Sequence, residues 1–219
     1  MLNTIFLTFS LLSFIVGNQP LASSSDLDFL AQKSMSLENR YADEWVNGVF
    51  KDNILLNLAY IRGVVKNANS IEWEQIKKPF KYEMKLKPNE VFAYHDDFLP
   101  EFQGKVTRTT NAHFNYADGF KSDGFLMGDG VCHLASLINW AAREAGLDVL
   151  SPVFHDFAVI PDIPREYGVS IYSNPMSPGS NSRQNLYIRN NLKNDVVFVF
   201  DYNGKDLKIS VLEDTPDSN

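Results

Sequence analysis

The sequence predicts an α+β fold in which a cysteine-led helix packs on a mostly antiparallel sheet. Two observations carry this reading. Leu134, Leu137, Ile138, Ala141 and Ala145 recur at helical spacing and make one apolar stripe. Segments at 195–202 and 206–212 have strand length and strand composition, and Asn203-Gly204 between them is a two-residue hairpin signal. A helix set among strands, without regular strand–helix alternation, is the α+β pattern.

Taken from the N-terminus, residues 1–17 carry no charged side chain and are apolar enough for a signal-peptide core or a short anchor. The small residues of "QPLASSSD" follow them. The expected organisation is a leader over 1–24, a polar entry segment over 25–44, the main domain over 45–213 and a tail over 214–219. An exported, extracellular or envelope-bound monomer is expected, touching membrane only through residues 1–17 if they are retained.

From Asp52 the 3.6-residue period predicts a helix, with Asp52 as N-cap and Gly63 as stop. "PFKYEMKLKPNEVFAYHD" alternates on either side of "KPNE", which reads as a hairpin. The lysines of 77–87 fall on the polar side of that alternation, so a solvated strand face explains them. Residues 98–127 are rich in turn formers. The cysteine helix is expected over 132–145, closed by a left-handed Gly146. Strands are expected at 147–154, 167–172, 184–190, 195–202 and 206–212, with a loop at 173–182.

The net charge of −7 offers no basic footprint for a nucleic acid, and 44% hydrophobic content suits a folded core. With one cysteine there is no intramolecular disulfide. No cofactor is expected. A metal is not expected either: Cys132, His133, His95, His113 and His155 lack ligand spacing, and "HDD" at 95–97 reads as a capped or solvated turn.

The chemistry centres on Cys132. In a helix, Cys132, Ser136, Asn139 and Arg143 form a polar stripe opposite the apolar one. Cys132 then lies in the first turn, where free N–H groups and the helix dipole lower a thiol's pKa. Gly128 and Gly130 before it let a substrate backbone approach. His155, beyond the next strand, is the candidate base, with Asp156, Asp162 or Glu166 to orient it. The order of cysteine helix and histidine strand is shared by transglutaminase-like and papain-like thiol enzymes, and "GVCHLASLINWAAREAGL" resembles the cysteine helix of the first group, which implies a loosely transglutaminase-like arrangement. The alternative is a tightly packed structural cysteine. His133, about 100° around the helix from Cys132, is read as a surface or capping residue.

"GDGVCHLASLINWAAREAGLDVL", "HDFAVIPDIPREYGVSIY" and "QNLYIRNNLKNDVVFVFDYNGKDLKISV" together resemble the VanW-like family, over roughly residues 45–212. That family takes its name from an accessory protein of vancomycin-resistance clusters, and its biochemical function is not established. Asp129 interrupts the family's usual glycine run, and His133 stands where Gln is common. Glu166 after Arg165 matches its acidic residue after Arg. The resemblance implies a cell-envelope setting and a cell-wall peptide or glycan ligand. Two functions follow. One is a thiol acyl-transferase or amidase with Cys132, His155 and Glu166 as catalytic residues. In it, Gly128, Gly130, Ser136, Asn139 and Arg165 line the substrate site. The other is a noncatalytic peptidoglycan-binding module.

Overall fold

The computed structural model describes residues 26–125 and 127–215. The expected leader lies outside them. The chain is α+β. A first sheet has the order β1-β8-β7-β2, built from β1 (Asp26–Ser36), β2 (Phe80–Leu86), β7 (Asp195–Tyr202) and β8 (Asp206–Thr215), antiparallel throughout. A second has the order β4-β3-β6-β5, from β3 (Val91–Ala93), β4 (Val106–Arg108), β5 (Asp148–Leu150) and β6 (Tyr187–Arg189). Only its β3–β4 pair is parallel. The helices are α1 (Glu44–Ile61), α2 (Trp73–Ile76), α3 (Val131–Glu144) and α4 (Pro178–Asn181).

Three expectations are corrected. The entry segment contains β1, which pairs along almost all of β8. Its buried side chains include only Ala31 and Met35, and Phe29 is exposed, so its apolar alternation is faint. The first helix begins at Glu44, where the Asp43 carboxylate accepts the Val46 N–H at 3.0 Å. Asp52 therefore lies inside α1, paired with Lys77 and Lys121. Finally, β2 and β3 are not hairpin partners. β2 joins β7 and β3 joins β6, so "KPNE" carries the chain from one sheet to the other. Asn190 secures that crossing: its side chain donates to the Leu86 carbonyl, and its own carbonyl accepts the Asn89 N–H.

Other expectations hold in whole or in part, although the loop expected at 173–182 contains the short α4. β7 matches its predicted span, and Gly204 (φ 106°) lies in the turn to β8. α3 packs its Leu134, Leu137, Ile138 and Ala141 stripe into the core, against β1 and β8. Gly146 (φ 74°) ends it, with the Leu147 N–H reaching back to the Ala142 carbonyl. Of the expected strand at 147–154 only β5 is regular. The extended course at 167–172 reduces to a bridge between Val169 and Phe154.

Candidate functional site

The start of α3 is held from behind by polar residues of the buried α1. Asn53 donates to the Asp129 and Lys121 carbonyls, each at 2.9 Å. Asn57 donates to the Tyr94 hydroxyl, which in turn donates to the Val131 carbonyl at 3.1 Å. Gly130, the N-cap, has φ 94°, and a Cβ there would lie 2.6 Å from the Phe50 carbonyl oxygen. Gly128 has φ 79°, with a Cβ position 3.2 Å from Phe114. Both glycines border the cavity described below, yet the close approach they permit is to α1 and Phe114.

The polar stripe of α3 is real, but protein backbone occupies it. Cys132 Sγ accepts the Ile171 N–H at 3.4 Å and its thiol faces the Ile171 carbonyl at 3.7 Å. One turn on, Ser136 Oγ donates to the Cys132 carbonyl at 2.7 Å and accepts the Val169 N–H at 2.9 Å. Asn139 donates to the Tyr167 carbonyl at 2.8 Å, and Arg143 donates to Asn139. Alternate residues of the extended 167–171 segment thus meet successive turns of α3. Ser136 and Asn139, expected to face a substrate, are 0% and 1% exposed and bond the chain to itself.

The expectation of an activated thiol is likewise reversed. Burial pushes the Cys132 thiol up to about 11, and the Asp129 charge adds to that; the Ile171 N–H acts in the opposite sense without prevailing. Asp129 is itself buried, which raises its carboxyl to about 6 although it accepts the Asp123 N–H at 3.0 Å.

Cys132 and His155 line one cavity of about 520 Å³. Its wall includes Tyr41, Phe50, Phe114, Phe157 and Tyr172, and Asp129, His133 and Arg40 also border it. His155 is placed by close backbone contact: its N–H donates to the Gly168 carbonyl at 3.4 Å, and a Cβ on Gly168 would lie 2.7 Å from the His155 oxygen. Its ring packs on Phe157 with centroids 4.1 Å apart. Burial lowers the His155 pKa, against smaller opposing effects from its own and Ala158's backbone and from Asp156.

His133 is not the surface or capping residue expected. It is 6% exposed, with its ring 5.0 Å from that of Phe50 and 6.2 Å from that of His155. Burial lowers its pKa to about 3, assisted by the positive charge of Arg40 and by His155. Arg40, unnoticed in the sequence, is the buried cation of this region. It donates to Asp162 at 2.5 Å and to the Pro161 carbonyl at 3.0 Å. Asp162 also receives the Ser36 N–H and the Asn39 side chain, tying the loop after His155 to the end of β1.

Glu166 and Arg165 sit on a 3₁₀ turn, exposed, and neither borders the cavity. Arg165 donates to the Asp156 carbonyl. In the "HDD" turn His95 is 0% exposed while Asp96 is exposed, so the turn is solvated at its first acid and buried at its histidine. His95, Asp96 and Asp97 place ligand-type atoms within 4.8 Å of one another. Both His95 nitrogens are already engaged, Nε2 with the Gln184 carbonyl and Nδ1 with the Asp97 N–H. This donor set is committed to the turn rather than to an ion.

Among the described residues no helix is long and apolar enough to cross a membrane. Comparison of the chain with family models, curated proteins and solved structures finds no match in any of the three.

Proposed function

We propose that this chain is an exported, VanW-like cell-envelope protein that binds a cell-wall peptide in the cavity beside α3, with Cys132 as a structural thiol. The observation that carries this reading is the double engagement of Cys132 Sγ by the Ile171 peptide group, at 3.4 and 3.7 Å. A thiol so held, its pKa raised by its surroundings to about 11, stays in its neutral form at pH 7. The family assignment rests on the three sequence motifs, and the envelope setting on the apolar residues 1–17. The cavity supports ligand binding through its size and its aromatic wall.

One observation favours the enzymatic reading, a transglutaminase-like Cys132–His155 site: both residues border the same cavity. In that case Cys132 attacks an amide carbonyl while His155 takes the thiol proton and passes it to the amine that leaves as the C–N bond breaks; water or a second amine then releases the acyl group from the thioester. The two readings separate on isolated peptidoglycan. Wild type and Cys132→Ala are expected to bind it equally, and mass spectrometry of the recovered fragments should show intact amide bonds. Amide cleavage or transfer by wild type, absent in Cys132→Ala, would overturn the binding reading.

A further inference from the structure

His113 stands between two carboxylates. Its Nε2 lies 3.3 Å from Asp96 Oδ2, and its Nδ1 lies 3.3 Å from Asp118 Oδ2. A neutral imidazole has one N–H and can serve only one of these oxygens, turning a lone pair on the other; the imidazolium donates to both. The contacts are therefore those of a protonated ring. Burial alone would lower the His113 pKa, but the charge and hydrogen bond of Asp96, and after them those of Asp118, outweigh it and raise it above the ordinary 6.5. These two acids face the ring from different segments, Asp96 from the turn after β3 and Asp118 from the 3₁₀ turn Tyr116–Asp118. His95 beside Asp96 is held toward its neutral form, by burial first and by the His113 charge last.

The next residue belongs to the cavity wall. Phe114 borders the cavity, is 6% exposed, and packs its ring with those of Tyr94 and Phe120, centroids 5.6 Å away in each case. Its φ of 59° is a left-handed conformation that a bulky side chain keeps only where its surroundings impose it. The segment is anchored at both ends: the Thr110 hydroxyl donates to the Tyr94 carbonyl at 2.6 Å, and the Lys121 N–H donates to Asn53 at 2.8 Å. Between the anchors, the His113 N–H donates to Asp118 within the segment at 2.6 Å, and the Asp96 contact ties the His113 ring to the turn after β3. Gly128, on the same wall, fits against Phe114, with a Cβ position 3.2 Å from Phe114 Cβ and from its carbonyl oxygen.

Resting on the reading of the cavity as a ligand site, we propose that His113 is a pH-operated latch on its wall: the protonated ring clamps Asp96 to Asp118 and keeps Phe114 in place, and loss of the proton frees the 111–119 segment. The neutral ring retains one partner and leaves the other carboxylate against a lone pair. The strained Phe114 then has less to hold it, and the wall at Phe114 and Gly128 loosens. The site is ordered under mildly acidic conditions and loosened under alkaline ones.

Hydrogen exchange of the full chain, read by mass spectrometry at pH 6.0 and 8.5 and divided by the intrinsic rate at each pH, tests the latch without a ligand. Wild type should lose about two- to fivefold of its protection over 111–120 at the higher pH, the range open to a partly exposed ion pair. The 127–131 segment, whose Gly128 N–H donates to the Lys121 carbonyl at 3.2 Å, should loosen with it. His113→Asn is expected to exchange at the faster rate at both pH values, and Asp96→Asn to show a smaller pH response. The two side chains are 45% and 58% exposed, so both variants should melt as cooperatively as wild type; if one does not, the other decides. Asp129, raised to about 6, titrates in the same wall, and both variants retain it, so its share can be subtracted. Equal protection of wild type at the two pH values, or a pH response that His113→Asn keeps, overturns the latch. A response confined to 111–120, with 127–131 unchanged, overturns its hold on the cavity wall. None of these outcomes depends on peptidoglycan binding, so the latch and the wider reading fail separately.

Discussion

Cys132 and Ile171 face each other as side chain and peptide group: the sulfur accepts the Ile171 N–H at 3.4 Å while its thiol points to the same residue's carbonyl at 3.7 Å. Hydrogen bonds to sulfur are weak singly, but this pair is the first rung of a ladder continued by Ser136 to Val169 and Asn139 to Tyr167. The ladder fixes the extended segment that carries one wall of the cavity. Its rungs differ in cost. Ser136→Ala strands the buried Val169 N–H and removes a bond to the Cys132 carbonyl, so a loss of about 1–3 kcal/mol is expected in urea unfolding.

The Cys132 pKa links the thiol to stability at high pH. In the folded chain it is raised to about 11 from an ordinary value of 9.0. A raised acid favours folding below its unfolded pKa, and the benefit is lost as pH rises through the folded one. The unfolding midpoint should therefore fall between about pH 9 and pH 11 more steeply in wild type than in Cys132→Ala. Parallel slopes would contradict the raised pKa of this half-buried thiol.

Asp129 behaves the same way at lower pH. Its carboxyl is raised from 3.8 to about 6, so its contribution is present below about pH 4 and disappears as pH climbs through about 6. Asp129→Asn keeps an oxygen for the Asp123 N–H and removes the charge. The variant is expected to melt higher than wild type at pH 7 and equally at pH 4. It should also lower the Cys132 pKa, since the Asp129 charge is one of the influences raising it.

Two glycines at opposite ends of α3 separate backbone strain from packing. Gly146→Ala, at φ 74° with open space around it, should cost about 1 kcal/mol. Gly130→Ala meets the same left-handed requirement plus a backbone oxygen of α1 at 2.6 Å, and should cost at least 2 kcal/mol more, roughly the price of displacing a packed helix. Equal losses would mean that α1 does not hold the start of α3. Thermal unfolding of the two variants decides it.

Features written into local pattern were legible in the sequence, and features made by distant partners were not. The α3 stripe, the Gly146 stop and the β7–β8 turn are local, and each lies where its residues predict. β2 was recognisable as a strand, but alternation says nothing about which strand it pairs with, and the "KPNE" turn changes sheets. β1 was hidden because its partner β8 lies at the other end of the chain. At the site, a Cys132–His155 pairing suggested itself because both residue types carry chemistry. The hydrogen-bonding partner of the thiol is a peptide group, which every residue has and no sequence motif marks. Arg40 gave no signal as a single arginine in a polar stretch. Its role depends on Asp162, and on a cavity assembled from segments more than 100 residues apart.

The most direct measurement is the rate of Cys132 alkylation by iodoacetamide as a function of pH in the folded chain, for wild type and His155→Ala. The account predicts slow modification at neutral pH, an apparent pKa near 11, and the same profile in both proteins. A thiol that reacts well below pH 8, with an apparent pKa that rises when His155 is removed, would contradict it and establish a Cys–His ion pair.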